Sequence, residues 1–148
     1  MTTSADFTEE EWKTVLEGPP AAGLMVLMAQ SGGTFKETWA LSKSYVEARQ
    51  QHGESQLLDE IVSHKPKLDH TRYHTPEELQ EGVRKHLGDA VALLQSKGTQ
   101  QDVDEYRRFV LNLAHNVAAA HREDGVDISP AEQTALDGIA EALGSTGT

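Results

Sequence analysis

The stretch from Val103 to Leu143 contains, in succession, the signals of a helix, a turn and a second helix. Apolar residues before the turn recur every three or four positions, which places them on one helix face. They are Val103, Tyr106, Val110, Leu113 and Val117. Asp124-Gly125 ends this helix, because glycine adopts the left-handed conformation without a Cβ clash. A second apolar face closes the stretch, so the sequence predicts an αα-hairpin and an all-α fold.

Four hydroxyl residues, each followed three positions later by a glutamate, repeat the pattern of a helix capping box. In that motif the hydroxyl accepts a hydrogen bond from the backbone N–H of the glutamate three residues later. The glutamate carboxylate in turn accepts one from the backbone N–H of the hydroxyl residue. The four hydroxyl residues are Thr8, Thr34, Thr75 and Ser129. No segment alternates apolar and polar residues as a half-buried strand would. The sequence therefore predicts a compact all-α bundle of about seven helices.

Two consecutive prolines separate the first two predicted helices. A short helix that carries Trp12 and Leu16 is predicted to stop at Gly18-Pro19-Pro20. The following segment, Ala21 to Ala29, is apolar on every side and rich in Ala, Leu and Met. This composition favours a helix enclosed by the others over a buried strand.

The chain as a whole is predicted to form one all-helical domain over residues 1–143, with a disordered tail over 144–148. Residues 64–74 contain a proline and show no period, which indicates a basic loop. An apolar segment, a turn, a cap and a helix occur from Leu24 to Ala48 and again from Leu113 to Leu143. This repeated order of elements predicts two pseudo-repeated helical hairpins. It is produced either by duplication or by the pattern that all helical hairpins share.

The charge balance restricts the classes of partner. The chain has 24 acidic residues against 13 Lys plus Arg, a formal net charge of -11. This charge repels nucleic-acid phosphates and anionic lipid headgroups, so neither nucleic acid nor an acidic membrane is expected as a partner. The chain has no cysteine, its N-terminus resembles no signal peptide, and its longest apolar run is too short to span a bilayer. We expect a cytoplasmic protein.

Acidic residues gather around the turn at residues 123–132 and form the best candidate site for a metal. Asp124, Asp127 and Glu132 supply oxygen ligands of the kind that Ca²⁺ or Mg²⁺ prefers. The register of an EF-hand fails, because Asp124-Gly125 at loop positions five and six puts Glu132 one residue late. The structural alternative is that these carboxylates favour the start of the following helix. Weak cation binding and helix capping both stay open.

Histidines form a second group of candidates. His64, His70 and His74 lie in the basic loop, where they could ligate a metal or belong to a solvated linker. His115 and His121 lie on the helix before the acidic turn, without the Glu-x-x-His pair of di-iron bundles. The segment from residue 31 to 34, Ser-Gly-Gly-Thr, could bind an anion at a helix start, but it lacks the spacing of a P-loop.

The closing run from Ala118 to Gly144 resembles the TerB-like family associated with tellurite resistance. The residues that carry the resemblance are Asp124, Gly125, Ile128, Glu132, Ile139 and Leu143. It implies a helical domain built around two similar hairpins, with a non-catalytic part in stress response. It also implies that Asp124 and Glu132 are ligand candidates.

Three functional hypotheses follow. The first is a non-catalytic interaction domain that binds a protein partner or itself, with no cofactor and no identified small-molecule substrate. The second is a divalent-cation-binding or sensing module centred on Asp124, Asp127 and Glu132. The third is an enzyme that uses His115 or His121 as a general base beside Glu123 or Asp124.

Overall fold

The computed structural model describes residues 4–28, 35–51, 56–63, 75–122 and 130–144. Over these ranges it contains six α-helices and no strand, which confirms the all-α prediction. A short 3-10 helix, Ser4–Asp6, precedes α1 (Glu9–Met28), α2 (Phe35–Gln51) and α3 (Gln56–Val62). The second half of the chain forms α4 (Pro76–Lys97), α5 (Gln100–Arg122) and α6 (Pro130–Leu143).

The predicted break at Gly18-Pro19-Pro20 is wrong. Helix α1 runs through both prolines, so two predicted helices are one and the count falls from seven to six. A proline inside a helix leaves the carbonyl four residues earlier without its backbone donor. For Pro19 that carbonyl belongs to Val15, and it accepts a 2.9 Å hydrogen bond from the Tyr106 hydroxyl on α5. A side chain from another helix therefore replaces the missing N–H.

Helices α1, α4 and α5 form the centre of the bundle, with α2 packed on α5 and α6 packed mainly on α4. The apolar face predicted for α5 is confirmed, because all five of its stripe residues are buried. For the segment predicted to be enclosed, Ala22 and Leu24 to Val26 in α1 are buried and Ala21 is partly buried, while the side chains beyond residue 26 lie outside the description. Leu136, Ile139 and Leu143 of α6 complete the same core.

Threonine caps start three of the helices. The Thr8 hydroxyl accepts from the Glu11 N–H at 3.2 Å, and the Glu11 carboxylate accepts from the Thr8 N–H at 2.9 Å. Thr75 accepts from the Glu78 N–H at 3.1 Å, with Pro76 at the first helical position. A third cap, which the sequence did not predict, is formed by Thr99 and Asp102, which bond reciprocally and start α5 at Gln100. The predicted boxes at Thr34 and Ser129 lie outside the described residues.

Arginine side chains bind carbonyls at the ends of two helices from a distance in sequence. Arg107 Nε on α5 donates to the Leu143 carbonyl at 2.5 Å, and Arg49 Nε on α2 donates to the Val62 carbonyl at 2.5 Å. A cation at a helix C-terminus is favourable because the helix dipole is negative there. Gly144 follows α6 with φ 74°, the left-handed conformation that often ends a helix.

Among the described helices, none combines the length and the apolarity needed to cross a membrane.

Candidate functional site

The acidic turn predicted as a cation site falls largely outside the described residues. Asp124 and Asp127 belong to the range 123–129, which the structure does not describe; Glu132 lies in α6, but its side chain is likewise outside the description. Within the described residues, no group of three or more His, Asp or Glu side chains could hold a metal ion. The cation site at Asp124, Asp127 and Glu132 stays a prediction, which a thermal melt with and without millimolar Ca²⁺ or Mg²⁺ tests.

Of the histidines named from the sequence, His115 is the one whose side chain is described. His64, His70 and His74, and the segment 31–34, lie outside the described residues. His115 is exposed on α5, and His121 lies in the last turn of α5, where side chains are not described. The carboxylates suggested as their partners belong to 123–129, so the general-base hypothesis stays a prediction.

His86 of α4 is a buried histidine that the sequence analysis did not single out. Its Nε2 lies 2.8 Å from the Thr14 carbonyl of α1 and 4.0 Å from Glu17 Oε2. A carbonyl can only accept, so Nε2 carries a proton and donates. The sequence contained an indication that His86 is buried, because His86 lies on the same helix face as Val83 and Leu87.

Two tyrosines are buried at the centre of the bundle. Tyr106 donates to the Val15 carbonyl, and the ring of Tyr45 packs edge-on against Phe109 with centroids 5.1 Å apart. Burial raises the pKa of Tyr106 well above its ordinary value, and burial also raises the pKa of Tyr45. Both hydroxyls therefore stay neutral in the folded protein when an exposed tyrosine would ionise.

These pKa shifts predict alkaline unfolding. Below pH about 10 the two tyrosines are neutral in both the folded and the unfolded state, so their ionisation does not change the free energy of unfolding with pH. Above it, the unfolded chain releases protons that the folded chain retains, so stability falls by up to about 1.4 kcal/mol per pH unit for each tyrosine. In a Tyr73→Phe background, where Tyr45 and Tyr106 are the two tyrosines left, tyrosinate absorbance and circular dichroism recorded together should show both ionising only as helix is lost. Their ionisation near pH 10 with the helices intact would contradict this expectation.

A cluster of charged and aromatic residues fixes the start of α1 against the end of α4. The Lys97 ammonium contacts Glu11 Oε1 and lies 5.8 Å from the ring centroid of Phe7, which packs against Trp12. The hydrogen bond from Lys97, with that from the Thr8 backbone, lowers the pKa of Glu11. The Glu11 carboxylate is therefore already engaged within the fold.

A shallow groove of about 440 Å³ runs along the surface between α1 and α4. We call it the α1–α4 groove, and its lining residues are Glu10, Glu11, Thr14, Asp89, Ala92 and Leu93. Glu10 and Asp89 are exposed carboxylates from the two helices, while Leu93 is half-buried between them. The groove thus combines negative charge with apolar surface. Its residues come from helices far apart in sequence, so no local motif could indicate it.

Comparison with models of protein families, with curated proteins and with solved structures finds no match to this chain. The resemblance of the closing run to the TerB-like family therefore stays a prediction.

Proposed function

We propose that this chain is a non-catalytic protein-interaction domain that binds a basic, amphipathic segment of a partner protein in the α1–α4 groove. The mixed lining of the groove carries this proposal: exposed Glu10 and Asp89 lie beside exposed Ala92 and half-buried Leu93. A segment with lysines or arginines next to leucines matches both properties. Its cations would pair with the carboxylates, and its apolar side chains would cover Leu93.

The charge of the whole chain supports a cationic partner. A net charge of -11 produces a negative potential that attracts cations and accelerates their association, and salt weakens this effect. The stress-response role that the TerB resemblance implies belongs to the same proposal, since an interaction domain needs no chemistry of its own. Glu11 is not expected to bind the partner strongly, because Lys97 already occupies its carboxylate.

The proposal predicts that neutralising the exposed carboxylates of the groove weakens peptide binding. The probe is a synthetic helical peptide with lysine and leucine on opposite faces, titrated into the full chain and followed by NMR. In the variant Glu10→Gln with Asp89→Asn, the dissociation constant should rise about fivefold, since each exposed ion pair contributes about 0.2–1 kcal/mol. The largest shift changes in the wild type should fall on Thr14, Ala92 and Leu93.

A matched control removes the same number of charges outside the groove. Glu47→Gln with Glu81→Gln neutralises two exposed carboxylates on α2 and α4 that do not line the groove. This variant should bind the peptide within about twofold of the wild type, because only the general negative potential changes. Equal weakening in both variants would reduce the binding to non-specific charge attraction and contradict the proposal.

A further inference from the structure

The two halves of α1 differ in burial. From residue 9 to residue 17 only Val15 is buried, and every other residue is at least partly exposed. From residue 18 to residue 26 all residues except Ala21 are buried. Segments with few buried apolar contacts open locally at a lower free-energy cost than the core does. The N-terminal half of α1 is therefore the half that can separate from the bundle first.

The junction between the two halves has fewer backbone hydrogen bonds than an uninterrupted helix. Pro19 and Pro20 have no N–H, so the carbonyls of Val15 and Leu16 lose the backbone donors that connect successive turns. Sharp bends in helices occur mainly at prolines for this reason. Two adjacent backbone hydrogen bonds are missing where the exposed half meets the enclosed half. The halves are consequently less coupled than they would be in an uninterrupted helix.

Two side chains from other helices hold the last turn before this junction. The Tyr106 hydroxyl of α5 donates to the Val15 carbonyl at 2.9 Å, and His86 Nε2 of α4 lies 2.8 Å from the Thr14 carbonyl. Both acceptors belong to the N-terminal half, while both donors belong to the central helices. Gly18 makes room for this arrangement, because a Cβ there would lie 2.1 Å from the Tyr106 hydroxyl oxygen.

We propose that residues 18–20 are a hinge and that the N-terminal half of α1 opens from α4 and α5 as a unit when Tyr106, His86 and the Lys97–Glu11 contact release it. Glu10, Glu11 and Thr14 form the α1 wall of the groove, so each opening takes that wall away from Asp89, Ala92 and Leu93. The hinge would thereby control the shape of the groove. It does not depend on what the groove binds.

Hydrogen exchange of the full chain, read by mass spectrometry, tests the hinge. Peptides from 9–17 should exchange at least tenfold faster than peptides from 21–28. Tyr106→Phe removes one of the bonds that hold 9–17 to the other helices and should accelerate exchange in 9–17 by about a further tenfold, with peptides from 130–143 unchanged. Tyr45→Phe, the same change in a buried tyrosine at the α2–α5 contact, should leave 9–17 at the wild-type rate.

A pair of substitutions at His86 gives an independent reading if Tyr106→Phe does not fold. Glutamine keeps an N–H donor for the Thr14 carbonyl and should preserve slow exchange in 9–17, whereas leucine has no donor and should accelerate it. Equal protection of 9–17 and 21–28 in the wild type would overturn the hinge. So would equal acceleration of 9–17 and 130–143 in the variants, since the bundle would then open only as a whole.

Discussion

Gly18→Ala is expected to lower the free energy of unfolding by about 3 kcal/mol, although alanine is the better helix former. The propensity difference alone would stabilise the helix by roughly 0.8–1 kcal/mol. Against this, the new Cβ would lie 2.1 Å from the Tyr106 hydroxyl oxygen and 3.3 Å from its Cζ. Tyr106 is about 1% exposed, so its ring can move only by displacing core neighbours, which costs about 1–3 kcal/mol. Moving it also breaks the bond to the Val15 carbonyl, worth roughly another 1–3 kcal/mol for a buried acceptor left alone.

A double-mutant cycle tests whether the Tyr106 hydroxyl is the group with which a Cβ at position 18 would clash. Tyr106→Phe removes the atom nearest to the new Cβ, so Gly18→Ala should cost less in the Tyr106→Phe background than in the wild type. We expect the two effects to fall short of additivity by at least about 1 kcal/mol in urea unfolding, with Cζ at 3.3 Å leaving some of the clash. Additivity within about 0.5 kcal/mol would mean that the hydroxyl is not what requires glycine at this position.

Leu113→Ala is expected to cost about 3 kcal/mol, because Leu113 is 0% exposed at the middle of α5. Truncation removes the transfer free energy of the lost methyl groups and leaves a cavity, and such changes cost about 2–5 kcal/mol in well-packed cores. For a chain of this size that corresponds to a fall in melting temperature of roughly 10 °C. Urea unfolding and a thermal melt both measure it.

Leu111→Ala on the same helix is the matched control. Leu111 is only partly buried, so its truncation exposes less surface and leaves no closed cavity. We expect a loss of no more than about 1 kcal/mol. Similar losses at positions 111 and 113 would contradict this expectation, because alanine is the better helix former at both positions and only the difference in burial separates them.

Elements with local signals could be predicted from the sequence. The caps at Thr8 and Thr75 bond to residues three positions away, so their geometry follows from a short segment. The α5 stripe could be read for the same reason, because helical spacing alone places Val103 and Leu113 on one face. Thr99 has the same kind of local signal, with Asp102 in the place that glutamate takes in the usual motif.

The candidate sites differ in how much of each could be predicted from the sequence. Asp124 and Asp127 are predicted ligands because acidic residues cluster there along the chain, and proximity in sequence does not say where side chains meet in space. The α1–α4 groove has no local signature at all, since Glu10 and Asp89 approach each other only after α1 packs on α4. The burial of His86 was readable from its helical position, but its bond to the Thr14 carbonyl was not.

The sequence by itself determined that this protein is helical, where most of its helices begin and which faces they bury, because caps and periodicity are interactions within a few residues. It also indicated a break at Pro19-Pro20, and for an isolated helix that rule holds. Only the tertiary structure decided that α1 continues, since the donor that replaces the lost N–H is the hydroxyl of Tyr106, 91 residues further along the chain. The same long-range packing produced the groove, which no short segment of the chain could specify.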